Sequence, residues 1–193
     1  MQSSPGALPG EDCFFCALDW LMDSRLVIVL KQLEFARGYT QSLLADIGED
    51  EWFAMPGGAG SSHAVTHLAW QVGHIAMAEY GLCLFRQRGR QPDDLQLMSS
   101  TFRKQFSRGS TPEPDPAKNP PIAEIRQTFD AVHQQVLAEL PTLTAASLDE
   151  PCDLPYAGYP TKFGALLLAS HHELLHAGQI GLLRRLVGKP PVR

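Results

Sequence analysis

The stretch PIAEIRQTFDAVHQQVLAEL, residues 121–140, decides the fold class. Its apolar positions Ile122, Ile125, Phe129, Val132, Val136 and Leu140 step by three and four residues, the spacing that lays them along one stripe of an α-helix. Pro121 stands at the head, where a missing N–H costs nothing because the first helical amides have no intrahelical partner. His133 lies beside Gln134 and Gln135 on the polar side, so it is expected to face water.

Working outward, residues 88–120 are polar and proline-rich, with Ser110-Thr111-Pro112-Glu113-Pro114-Asp115-Pro116 in their midst. The stretch is too long for a tight turn and reads as a crossover, with a short helix from about Leu95 to Phe106. Before it comes a periodic segment that Ser61 or Ser62 can cap and that reaches to about Arg86, preceded by the loop Met55-Pro56-Gly57-Gly58-Ala59-Gly60. An earlier helix spans Arg25 to about Gly48, with a cap at Asp23 or Ser24 and a buried face of Leu26, Val29, Leu30, Leu33, Ala36, Leu43, Leu44 and Ile47. Downstream, the segment from Asp149 to Pro160 is a loop. Thr161 then opens a last helix that runs to Val187, where Gly188, Pro190 and Pro191 stop it. Four long amphipathic helices, no alternating strand and one long crossover between the second and third predict an all-α four-helix bundle.

Composition bounds the function. A chain of 193 residues that is 44% hydrophobic can bury one sizeable core, so residues 13–193 are expected to form a single domain behind a disordered tail, 1–12, rich in Ser, Pro and Gly. The net charge is -5, and no Lys/Arg stripe exists of the kind that nucleic acid or an anionic membrane requires. With no bilayer-length apolar run and no leader-like N-terminus, the reading is a soluble cytoplasmic protein whose partner is a small molecule. Cys13 and Cys16 form a lone CxxC without a second pair or a βαβ context, and read as apolar-side thiols beside Phe14, Phe15, Leu18 and Trp20. Cys83 and Cys152 read as ordinary buried or half-buried residues.

The chemistry lies in the seven histidines, at 63, 67, 74, 133, 171, 172 and 176. Two pairs, His63 with His67 and His172 with His176, are spaced i, i+4. Such rings share a helix face about 6 Å apart along the axis and can converge on one cation. The second pair spells His172-Glu173-Leu174-Leu175-His176, the HExxH pattern of zinc proteases. Those enzymes take a third ligand from downstream, and residues 177–193 contain no His, Asp, Glu or Cys, so a third ligand must lie upstream. His172 and His176 share the stripe of Ala165, Ala169, Gln179, Leu183 and Leu186, which a bundle must bury, and buried imidazoles need partners. His67 and His74 are seven residues apart, too far for one ion to take both, and spacing does not choose between them. His63 and His67 otherwise read as packing or cavity-lining residues, and His171, out of register with the pair, as facing solvent or a neighbouring helix. Glu173 points about 100° away from His172 and reads as a surface carboxylate, the alternatives being a general base or a group that backs the ligands. Gln179 is placed either to hydrogen-bond a ligand imidazole or to hold its helix against a neighbour. Arg184 and Arg185 complement the helix dipole.

Two segments carry a resemblance. Trp70-Gln71-Val72-Gly73-His74 and His172-Glu173-Leu174-Leu175-His176-Ala177-Gly178-Gln179-Ile180, followed by Leu183-Arg184-Arg185, resemble the DinB/YfiT-like superfamily of four-helix metal-binding proteins. The similarity runs from about Leu26 to Pro191 and includes the two-glycine loop. It implies a bundle often paired into a homodimer, with His74, His172 and His176 as ligands of a divalent ion; the Cys13–Cys16 segment has no counterpart in it. Three neutral imidazoles leave a position open for water or substrate. Zinc is the expected ion and nickel the alternative. The resemblance implies a metal-dependent transferase that activates a low-molecular-weight thiol, or a hydrolase that activates water. The competing expectation is a non-catalytic metal- or small-ligand-binding bundle.

Overall fold

The computed structural model describes residues 22–56, 66–154 and 157–192. The Cys13–Cys16 motif, the predicted tail, His63, the Gly57-Gly58 pair and the cap candidates Ser61 and Ser62 lie outside the described residues. Four long helices carry the fold. We label them α1 (Ser24–Leu44), α2 (Leu68–Glu79), α3 (Ile122–Glu139) and α4 (Lys162–Leu186). No strand occurs among the described residues, where the only pairing of extended chain is a single bridge between Pro151 and Thr161.

Side-chain caps set most helix starts. Asp23 receives the amide of Arg25 at α1, and Thr161 that of Gly164 at α4. At α2 the cap is His67, whose ring accepts the amide of Trp70, so the helix begins at Leu68, later than the serines suggested. Past Glu79, α2 widens into a π-helical stretch, Tyr80–Phe85, before a last turn at Arg86–Arg88. The crossover holds two short helices, Asp94–Leu97 and Ser100–Gln105, where one was expected.

The order of the helices explains the long crossover. Arg25 stacks on Phe163, Arg37 pairs with Glu173, and Arg184 reaches the Leu43 carbonyl, so α1 and α4 run parallel. His133 meets Glu79 and Glu139 meets Arg88, so α2 and α3 are parallel as well. A chain that leaves α2 must therefore travel the length of the bundle before α3 can start in the same direction, which no hairpin can do. The core along the axis includes Leu26, Val29, Leu33, Val72, Ile75, Ile125, Val132, Val136, Ala165 and Ile180.

One polar knot interrupts that core, and each helix supplies one member. The Arg37 guanidinium stands 2.6 Å from Glu79 and 3.1 Å from Glu173, donates to the Phe129 carbonyl at 2.6 Å, and lies over the Phe129 ring. His133 donates from Nδ1 to the Glu79 carboxylate, 2.7 Å away. His133 is 5% exposed and Glu173 2%, so neither faces water as the sequence suggested. The reason lies in packing: the polar side of α3 faces the end of α2, where a buried carboxylate needs hydrogen-bonding partners. Arg184 also does more than complement a dipole, for it is buried and binds Asp46 and the Leu43 carbonyl.

Candidate metal centre

The crossover packs along the side of α2 that carries His67, Trp70 and His74. On successive turns His67 donates to the Glu113 carbonyl at 3.0 Å, Trp70 donates from its indole to Ser110 at 2.9 Å, and His74 donates from Nδ1 to the Phe106 carbonyl at 2.7 Å. A carbonyl only accepts, so this last bond puts the proton on Nδ1 and leaves the lone pair on Nε2 of His74. Gly73 makes the approach possible: a Cβ there would stand 2.5 Å from the ring of Phe106.

From α4, His172 and His176 come up against that ring. The centroid of His74 lies 5.2 Å from that of His172 and 4.8 Å from that of His176. One donor atom from each of the three rings lies within 4.8 Å of the others. His74 and His176 are buried and His172 is half-buried. The Nε2 atoms of His172 and His176 stand 3.2 Å apart. Two tetrahedral ligands at a Zn–N distance of about 2.0–2.1 Å stand about 3.3 Å from each other, so the spacing fits a shared cation.

A glutamine sets the tautomer of the third ring. Gln71 accepts the Nδ1 proton of His176 at 2.5 Å while its amide nitrogen donates to Gln179 at 2.7 Å and to Thr66. With Oε1 of Gln71 as the acceptor, Nε2 of His176 keeps its lone pair as well. Gln179 thus touches the glutamine that holds His176, one step removed from the contact that the sequence suggested.

Burial keeps the rings neutral. It lowers the proton affinity of all three, and the neighbouring rings add to the effect, taking His172 down to about 4 and His176 to about 3. Neutral imidazoles are the form that binds metal. Trp70 stacks parallel on His74 at 4.6 Å and forms an aromatic wall beside the cluster.

The structure brings together the three residues that the resemblance singled out. Of the other histidines among the described residues, His67 caps α2, His133 joins the polar knot, and His171 is exposed on α4. Glu173 turns away from the cluster toward Arg37 and, with its burial outweighing that partner, holds its proton more tightly than an ordinary glutamate. Gln71 and the Phe106 carbonyl went unnoticed in the sequence. Gln71 sits inside the Trp70–His74 motif, three residues before His74 and on the stripe of Leu68 and Ile75, and a polar residue at an apolar position is the signal it gave.

A family model described as the DinB superfamily matches residues 32–180, a span that contains all three histidines. Among curated proteins none matches the chain.

Proposed function

Since the chain belongs to the DinB superfamily, we propose that it is a metal-dependent enzyme whose divalent ion is held by His74, His172 and His176. One observation carries the reading: two of the three rings have their Nδ1 protons committed to fixed acceptors, Phe106 and Gln71, with burial holding them neutral. That is how ligand imidazoles are oriented, and it is more than packed core histidines need. Zinc fits best and nickel next. An ion bound by neutral ligands alone keeps its full charge and lowers the pKa of a bound thiol or water.

The reaction is transfer from a low-molecular-weight thiol to an electrophile, or hydrolysis by activated water. Within it, Phe106 and Gln71 hold two rings in the binding tautomer, and the knot around Arg37 keeps α4 in register. Trp70 offers a flat apolar wall to whatever approaches. Two copies of the chain pair through the seam of α1 and α4. There Ile28, Phe35 and Tyr39 on one helix, and Leu175, Leu182 and Leu186 on the other, form exposed apolar stripes with the same spacing. Tyr39 lines a hollow together with Gly178 and Gly181 of α4.

The test is metal content. His74→Ala and His176→Ala are expected each to lower zinc, after loading and dialysis, to well below one ion per chain by elemental analysis. Full occupancy in either variant refutes the assignment. Thiol-dependent consumption of alkyl halides or epoxides by the loaded protein supports the transferase, and ester cleavage without thiol supports the hydrolase. Inertness across both panels together with a large fall in Tm on chelation supports a binding protein in which the ion ties α2 to α4.

A further inference from the structure

The three rings of the cluster are not held alike. His74 is fixed at Nδ1 by the Phe106 carbonyl and His176 at Nδ1 by Gln71. His172 makes no hydrogen bond at Nδ1 among the described residues, its one polar contact being Nε2 to Nε2 of His176. A ligand imidazole is ordinarily aimed by a bond to its other nitrogen, and losing that bond costs about 10–100-fold in metal affinity. His172 is also only half-buried, unlike the other two rings.

The residue beside it is gripped at both oxygens. Glu173 is 2% exposed, and Arg37 donates to it from Nε at 3.1 Å and from Nη2 at 3.4 Å. Arg37 is itself anchored by the Phe129 carbonyl and by Glu79, so the grip on Glu173 is referred to α1, α2 and α3 at once. Consecutive helical residues point about 100° apart, so fixing the direction of Glu173 fixes the direction in which His172 leaves the helix. With side chains reaching about 5–6 Å from a helix axis, a 20° roll of α4 carries a ring by about 2 Å, ten times the tolerance of about 0.2 Å in a metal–ligand distance.

We propose that Arg37 and Glu173 are positioning residues of the metal centre, acting through the neighbouring His172 by setting the register of α4. The proposal rests on the metal reading above, and its test keeps the two separable. Zinc affinity of the full chain is measured by chelator competition for Glu173→Gln, for His172→Ala and for the double variant, with the visible spectrum of the cobalt-loaded protein as a second readout. Glu173→Gln is expected to weaken zinc binding about tenfold and to alter the cobalt spectrum, yet to change affinity less than about twofold when His172 is already alanine. Equal losses in both backgrounds, or an unchanged affinity with only a lowered Tm of the metal-free protein, overturns the positioning role.

Should Glu173→Gln fail to fold, Arg37→Lys carries the same expectation, because it keeps a cation in the knot without the two-point grip. Failure of both variants to fold makes the pair purely structural and overturns the proposal too. Zinc binding that survives His74→Ala and His176→Ala unchanged sinks the metal reading itself, a result that Glu173→Gln cannot mimic.

Discussion

At the scale of single residues, Gly73 links backbone packing to the chemistry of its neighbour. A methyl group at this position would meet the Phe106 ring at 2.5 Å, and Phe106 is fully buried, so the ring cannot swing away. The Phe106 carbonyl also holds Nδ1 of His74, so any shift of Phe106 moves that ring. Gly73→Ala is therefore expected to destabilise the protein by about 1–3 kcal/mol, the usual cost of overpacking, and to weaken zinc binding as well. Denaturant unfolding and metal titration of the same variant measure the two effects. The Trp70–His74 motif displays this glycine in the sequence, but Phe106 lies more than thirty residues further on, and no periodicity connects them. His74→Ala and His176→Ala belong to the same scale, and their expected loss of bound metal follows from the proposed sharing of one ion among the rings.

At the scale of elements, the start of α2 is sensitive to acid. His67 caps the helix through Nδ1 and ties the crossover through its other nitrogen, so both ring nitrogens are occupied while the ring is neutral. Burial lowers its proton affinity to about 4 from an ordinary value near 6.5. The unfolded chain therefore binds a proton at this position before the folded one does. Its contribution to stability is complete above pH ~6.5 and is lost as the pH falls toward about 4, by at most about 1.4 kcal/mol per unit. His67→Asn, which retains a capping oxygen without a titrating ring, is expected to flatten that part of the stability-versus-pH curve measured by chemical denaturation. An unchanged slope between pH 6.5 and 4 counts against this account. The boundaries of α1, α3 and α4 were readable to within a few residues because their caps and stops are conventional ones. The start of α2 was not, because histidine is an uncommon cap. The π-helical stretch at Tyr80–Phe85 left no mark in the hydrophobic pattern either.

At the scale of the molecule, the knot of Arg37, Glu79, His133 and Glu173 joins all four helices through one guanidinium. Removing the cation leaves two buried carboxylates facing each other, so Arg37→Ala is expected to cost about 3–5 kcal/mol in unfolding free energy. Adding Glu79→Gln to that variant is expected to recover part of the loss, since one uncompensated charge is removed; a double variant less stable than the single one would refute the charge argument. The apolar seam of α1 and α4 belongs to the same scale. Phe35 is 64% exposed and Leu175 67%, large values for residues of that size. Sedimentation equilibrium is expected to give twice the chain mass for the native protein and the mass of one chain for the Phe35→Glu, Leu175→Glu variant. A native protein that sediments as one chain removes the pairing from the account.

The sequence by itself determined the four helices, the crossover and the pairing of His172 with His176. Spacing along a helix is local information, and a period of 3.6 residues prints it directly on the chain. Which upstream ring meets that pair is a different kind of fact. Composition and spacing left His67 and His74 equal, and only the resemblance favoured His74. The tertiary structure placed His74 at the cluster and gave His67 to a cap, through the contacts of the crossover with α2. The same holds for His133 and Glu173, polar by position and buried in fact. Whether the polar side of a helix meets water or another helix depends on how the four are ordered and on where a buried guanidinium can gather its partners. No single helix carries that in its own pattern.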